Sequence, residues 1–175
     1  MKTIIMLAMH GTLPRDLPRE VGKEFFAVRS RLQQASEPER PGLLERFREL
    51  DSRIRHWPRT ADNDPYHAAS QAMALQLSQA TGYEVIAAFN EFCAPSLDEA
   101  ADQAVARGAQ RVIVITPMLT RGGDHAEKEI AAVVEAARQR HPGVEWVYAW
   151  PYPIEAVAQF LADQVARYAE AGVHA

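Results

Sequence analysis

The sequence predicts an α/β three-layer sandwich: a four-stranded parallel sheet in the order 2-1-3-4, with an inserted αα-hairpin. Three observations carry that prediction. Four runs rich in β-branched and aromatic residues recur along the chain, and each is followed by residues at helical spacing. The runs are near-continuously apolar, as suits strands buried on both faces of a parallel sheet. At 175 residues the chain has the length of one domain, residues 1–175, and is short for two.

The elements follow in order. "KTIIMLAMH" (2–10) is the first strand; its apolar core, Ile4 to Met9, is too short to span a membrane and has no small-residue cleavage site. The next helix of the alternating pattern starts only at Asp64 and Pro65, cap and first turn, and runs to about Ala80 before Gly82. "YEVIAAFNEF" (83–92) is the second strand, and Ser96 with Glu99 makes a capping box for a helix ending at Gly108. "RVIVITPML" (111–119) is the third strand. Asp124 and Glu127 repeat the capping pattern before a helix whose Ile130, Val133, Val134 and Ala137 would face the sheet. "EWVYAWPY" (145–152) is the fourth strand, and a helix from Ile154 to about Glu170 closes the fold. Strand and helix alternating four times imply right-handed crossovers.

Residues 14–60 break the rhythm, where a connection of roughly 2–6 residues would do. Val21, Phe25, Val28 and Leu32 form one helical stripe, and Leu43, Phe47, Leu50, Ile54 and Trp57 form another, with "ASEPERPG" between them. This predicts a helical hairpin that is padding for the core, a lid, or a surface for a second subunit. Pro14 to Arg59 holds 11 of the 19 basic residues against 8 acidic ones, in a chain of net charge −4. Most of those charges are expected on solvated helix faces.

That net charge argues against a nucleic-acid partner. A single cysteine, Cys93, excludes an internal disulfide framework and suits a reducing cytoplasm, and no run has the length of a membrane span.

In a parallel sheet, ligands bind beyond the carboxyl ends of the strands, where strand order reverses. His10 ends the first strand, Glu91 ends the second, and His125 follows the third, so the predicted order puts all three in one cleft. Two imidazoles and a carboxylate suit a divalent first-row metal, or acid–base work. The bland alternatives are a hydrogen-bonded loop histidine and a helix-capping glutamate. Gly122 and Gly123 would let the backbone approach a planar ligand. His56 and His67 read as surface or packing residues, His141 as a helix-end residue, and His174 as part of a frayed tail. Cys93 is a soft ligand or, by the commoner pattern, a small buried hydrophobe.

"IIMLAMHGT" and "YEVIAAFNEFCAPSLDEAADQAVARGAQRVIVITPMLTRGGDHAEKEI" resemble the sirohydrochlorin chelatases, small class II enzymes that insert cobalt, iron or nickel into tetrapyrroles. The resemblance implies chelation without ATP and without an organic cofactor. It implies a metal site of His10, His125 and Glu91, a tetrapyrrole substrate, and a homodimer, since short members are half-units that pair. It departs at Met9 and Thr12, where members usually have glycine and serine, and at the hairpin, absent from the short members. Arg121, and Arg15 and Arg59 on the insert, are candidates to pair with substrate carboxylates. Two other functions are open: a metal or tetrapyrrole carrier using the same cleft, and a histidine phosphatase, which would want arginine where Met9 stands.

Overall fold

The four apolar runs form the strands expected of them, in a computed structural model that describes residues 1–170. His174 lies outside the described residues. β1 (Thr3–Met9) is central, with β2 (Glu84–Phe89) on one side and β3 (Arg111–Ile115) then β4 (Glu145–Tyr148) on the other. All pairings are parallel and the order is β2-β1-β3-β4. The strands are shorter than their apolar runs. Asn90 to Phe92, Thr116 to Leu119 and Ala149 to Tyr152 leave the sheet at its carboxyl edge and form the loops there.

Helices cover both faces. α3 (Pro65–Thr81) follows the Asp64 cap, whose side chain accepts from His67 N–H, and ends at Gly82 with φ +73°. It packs Ala74, Leu77 and Tyr66 on Leu7, Met9, Ala87 and Phe89. α4 (Leu97–Ala106) starts on the complete Ser96/Glu99 capping box. With α5 (Ile130–Arg140) it covers the other face, where Ile4, Met6, Ala8, Val112, Val114 and Ile130 form the main core. Burying such side chains contributes roughly 1.5–3 kcal/mol each. α6 (Ile154–Glu170) follows β4.

The Asp124/Glu127 capping box does not form. Asp124 pairs with Lys128 at 2.7 Å, and Glu127 instead accepts from Gly122 N–H at 2.9 Å. The chain enters α5 through one π turn, His125–Glu129, closed by Ile130 N–H donating to His125 O.

The insert is a helical hairpin, α1 (Arg19–Gln34) and α2 (Arg40–Arg55). Val21, Phe25, Val28, Leu50 and Ile54 are buried between the helices, as the two stripes predict, and Phe92 from the loop after β2 joins them. The hairpin thus has its own small core, closed by a residue of the sheet's carboxyl edge. Phe92 holds φ +60°, a costly conformation for an aromatic residue, and is kept there by this packing.

Candidate functional site

Strand ends and tight turns place the three side chains. β1 ends at Met9, and Gly11 follows His10 with φ +105°. A Cβ at Gly11 would stand 1.9 Å from the Glu91 carbonyl oxygen, so only glycine lets the two loops touch. Glu91 N–H donates to His10 O at 2.8 Å, which ties the loop after β2 to the turn after β1. His125 opens the π turn, and the turn is tied down by Tyr148, whose hydroxyl donates to Ala126 O at 2.8 Å. Burial pushes the Tyr148 hydroxyl up to about 12, so it remains a donor at any physiological pH.

The sheet brings His10, Glu91 and His125 together. One donor atom from each lies within 4.8 Å of the others, and among the described residues no other group of three metal-ligating side chains does so. The imidazole rings meet edge to face with centroids 4.7 Å apart, and His10 Nε2 is 3.9 Å from Glu91 Oε2. Tetrahedral donors around one ion at ~2.1 Å stand ~3.4 Å apart, so closing on a metal needs the widest of these separations to shrink by on the order of 1 Å.

Hydrogen bonds orient both rings. His10 Nδ1 is 2.8 Å from Gly11 O, which can only accept, so the Nδ1 proton is fixed there and the Nε2 lone pair is free. His125 Nδ1 lies 2.7 Å from Glu129 Oε2 and 2.8 Å from Asn90 Nδ2. Asn90 Nδ2 also donates to Glu129 Oε2. Both nitrogens therefore donate to one carboxylate, and the Asn90–His125 approach is a side of that triangle, not a third bond. This leaves His125 Nε2 free as well. Burial pushes the Glu129 carboxyl up, but the bonds from Asn90 and His125 outweigh it and hold the group below its ordinary value. A carboxylate behind a histidine in this way sets ring orientation and raises ligand basicity. Glu129→Gln is accordingly expected to weaken metal binding about 10- to 100-fold with little change in stability, by calorimetric titration and thermal melting.

The insert contributes to the site. Arg29 of α1 reaches Glu91 Oε1 at 2.7 Å. Arg55 of α2 donates to Asn90 O and Cys93 O at 3.1 and 2.9 Å, and to Phe89 O at 3.3 Å, clamping the loop that carries Glu91. A cavity of about 250 Å³ lies between hairpin and sheet edge, lined by Phe25, Arg29, Phe47, Asp51, Asn90 and Glu129 among others. It is smaller than usual ligand pockets, ~300–1,000 Å³. A larger concavity, about 640 Å³, is an open depression beside His56, Pro95 and Asp102, away from the histidine pair. Glu129, Asn90, Arg29 and Arg55 are absent from the sequence-based candidates, and only the Glu129–His125 spacing of four offered a signal.

The remaining candidates separate. Arg59 is a correction: its side chain is 7% exposed, pairs with the fully buried Asp64, and donates to Thr12 O, Ile54 O and Phe92 O. Both terminal nitrogens are engaged within the chain, while Nε is buried without a partner, so the side chain holds the fold and is not presented to a substrate. Arg15 lies near Asp62 O, 3.5 Å away, beside a shallow cavity with Thr12 and Tyr66. Arg121 sits 5.8 Å over the Trp150 ring on the loop after β3. Gly122, with φ +92°, and Gly123 both border open space. His67 stacks on Phe89, His56 Nδ1 is 2.9 Å from Ser52 O, and His141 pairs with Asp102. Cys93 is fully buried and its thiol is pushed up chiefly by that burial, so it is a core residue. Met9 is 4% exposed in the core beside His10, and no arginine takes its place.

The CbiX family model matches residues 60–168. Glu91 and His125 fall inside the match; His10 and the hairpin fall before it. Over 63 residues the chain is 40% identical to the sirohydrochlorin cobaltochelatase of Priestia megaterium, a stretch that is 36% of this chain. The chain spans 20% of the length of that relative. The fold is similar to the crystal structure of a protein from Marinobacter aquaeolei VT8 named as CbiX of cobalamin (vitamin B12) biosynthesis. That likeness has a TM-score of 0.51 at 16% identity and covers 95% of this chain and 99% of the other.

Proposed function

The chain belongs to the CbiX family of sirohydrochlorin chelatases, and from that premise we propose that it inserts a divalent metal into sirohydrochlorin or a related tetrapyrrole. The observation that carries the reading is the pair of imidazoles with free Nε2 lone pairs beside the Glu91 carboxylate, at the carboxyl edge of the sheet. Cobalt is the first choice of metal, in keeping with the relative named a cobaltochelatase; iron and nickel suit the same donors. The reaction exchanges M²⁺ for two pyrrole N–H protons and needs no ATP or organic cofactor.

His10 and His125 bind the ion through Nε2 and strip part of its water shell. The side chains of His10 and His125 are 41% and 30% exposed, which leaves one side of the ion open to the flat face of the macrocycle. As the ring nitrogens take the metal, Glu91 accepts a proton and water carries off the second. Arg15 and Arg121 flank this edge as partners for substrate carboxylates, with Gly122 and Gly123 leaving room beside them. The whole of residues 1–175 acts as one unit whose hairpin holds the Glu91 loop, in a homodimer within the cytoplasm. Among the described residues no helix is long and apolar enough to cross a membrane.

Absorbance followed over time with sirohydrochlorin and Co²⁺ tests the reading. Faster conversion to the metallated spectrum than in buffer supports it; tight binding without acceleration makes the protein a carrier and overturns it.

Arg29 opposes the metal for Glu91. Arg29→Gln removes a positive charge beside the site and frees Glu91 Oε1. Co²⁺ affinity is expected to rise by about 3- to 10-fold, roughly 1 kcal/mol for a partly exposed pair. Unchanged affinity in calorimetric titration would remove Glu91 from the ligand set.

A further inference from the structure

α6 presents an apolar stripe to solvent. Ile154, Val157, Leu161, Val165 and Tyr168 recur at steps of three and four with Phe160 on the flank, while Glu155, Gln159, Asp163 and Arg167 take the opposite side. Only Val157 of the stripe is buried; Ile154, Phe160, Leu161, Val165 and Tyr168 are between 52% and 68% exposed. That is on the order of 600 Å² of contiguous apolar surface, the upper limit of what monomers expose. An isolated helix of this length is marginal in water, and its stability has to come from packing.

The sheet has the complementary surface. α3 covers β1 and β2 on one face, but the cover thins across β3 and β4, where Ile113, Ile115 and Val147 on that same side remain only partly buried. Arg111, also on this side, has only a 3.4 Å approach to Glu145. A helix after β4 is the missing member of that layer, yet α6 does not take the place. Its connection contains Pro151 and Pro153 and is tied to the loop after β3. Trp150 Nε1 donates to Met118 O at 3.0 Å and Tyr152 OH to Thr116 O at 2.6 Å.

We propose that the chain forms a twofold homodimer by reciprocal exchange of α6, each stripe lying across the β3–β4 face of the other copy. Stripe and thinly covered face belong to one chain, so each contact is made twice about the axis. Two helices of ~25 Å on two sheet faces bury on the order of 1,500–2,000 Å² in all, the size of a stable interface. The proposal rests on the homodimer reading above and is independent of metal insertion.

Sedimentation of the wild-type protein and of Leu161→Glu/Val165→Glu tests it, together with cross-linking. Both substituted residues are solvent-exposed in the single chain, so the variant folds. A dimer whose dissociation constant rises at least tenfold in the variant is expected. Tagged Val165→Cys mixed with untagged Val147→Cys should be joined by a short bis-maleimide into one heterodimer, with Cys93 too buried to compete. A monomeric wild type overturns both the exchange and the homodimer. A dimer that neither weakens nor cross-links overturns the exchange and leaves a homodimer through another surface. A cross-link formed within one monomeric chain carrying both cysteines puts α6 on its own sheet, and overturns the exchange too.

Discussion

His10→Ala/His125→Ala is expected to abolish tight Co²⁺ binding and to slow insertion into sirohydrochlorin by at least about 10²-fold, the lower range for positioned imidazoles. Together the two substitutions remove both free Nε2 atoms and leave Glu91, already paired with Arg29, as the only donor of the three. Both rings are partly exposed, so the thermal midpoint should move little, within the ~0.5 kcal/mol usual for surface changes. The single variants distinguish the roles. If His10 is a ligand, His10→Ala raises the metal KM and weakens binding by titration; if it takes a pyrrole proton, kcat falls while metal affinity is kept. His125→Ala should cost more, because it also strips Glu129 of a donor. A double variant that metallates the tetrapyrrole at the wild-type rate would remove the reaction from this edge of the sheet.

The three site residues were legible because strand ends are legible. Once four apolar runs are strands and the order is 2-1-3-4, residues one or two past Met9 and Phe89 must lie near each other. What surrounds them was not legible, because it depends on which helix face lands where. Nothing in the spacing of Arg29 distinguishes it from the exposed arginines of the hairpin; only the crossing of α1 over the Glu91 loop does. The two capping patterns show the same limit. Ser96 and Glu99 close their box, whereas Glu127 is taken by Gly122 N–H and Asp124 by Lys128. A pattern names the donors and acceptors available, and competition in space decides the pairing. Likewise the stripe on α6 shows that one side of the helix is apolar, and carries no information about which surface would cover it.

Arg59→Ala is expected to cost about 3–5 kcal/mol, since it leaves the buried carboxylate of Asp64 without its charge partner. In a chain of this size that is a fall in Tm on the order of 10 °C, measurable by circular dichroism. The loss would spread beyond the pair. Arg59 also joins Thr12 O, Ile54 O and Phe92 O, so the end of α2, the turn after His10 and the loop with Glu91 lose a shared support. Metal binding should therefore weaken in Arg59→Ala although Arg59 touches no ligand. Arg15→Ala, a nearly free arginine on the same segment, should change stability by less than about 0.5 kcal/mol. The pair also sets an acid limit. Burial pushes the Asp64 carboxyl up, but His67 N–H, Thr12 Oγ1 and Arg59 outweigh it and hold it below its ordinary value. A group lowered in the folded state lends stability that is complete above its unfolded pKa of ~3.9 and is lost as pH falls through the lower folded value. Wild-type protein should thus lose this contribution below about pH 4. Asp64→Asn, which lacks the charge from the start, should be less stable than wild type at pH 7 and show a flatter decline below pH 4. Parallel acid curves for the two proteins would mean that another carboxylate governs the unfolding, and that Arg59 serves the carbonyl oxygens more than Asp64.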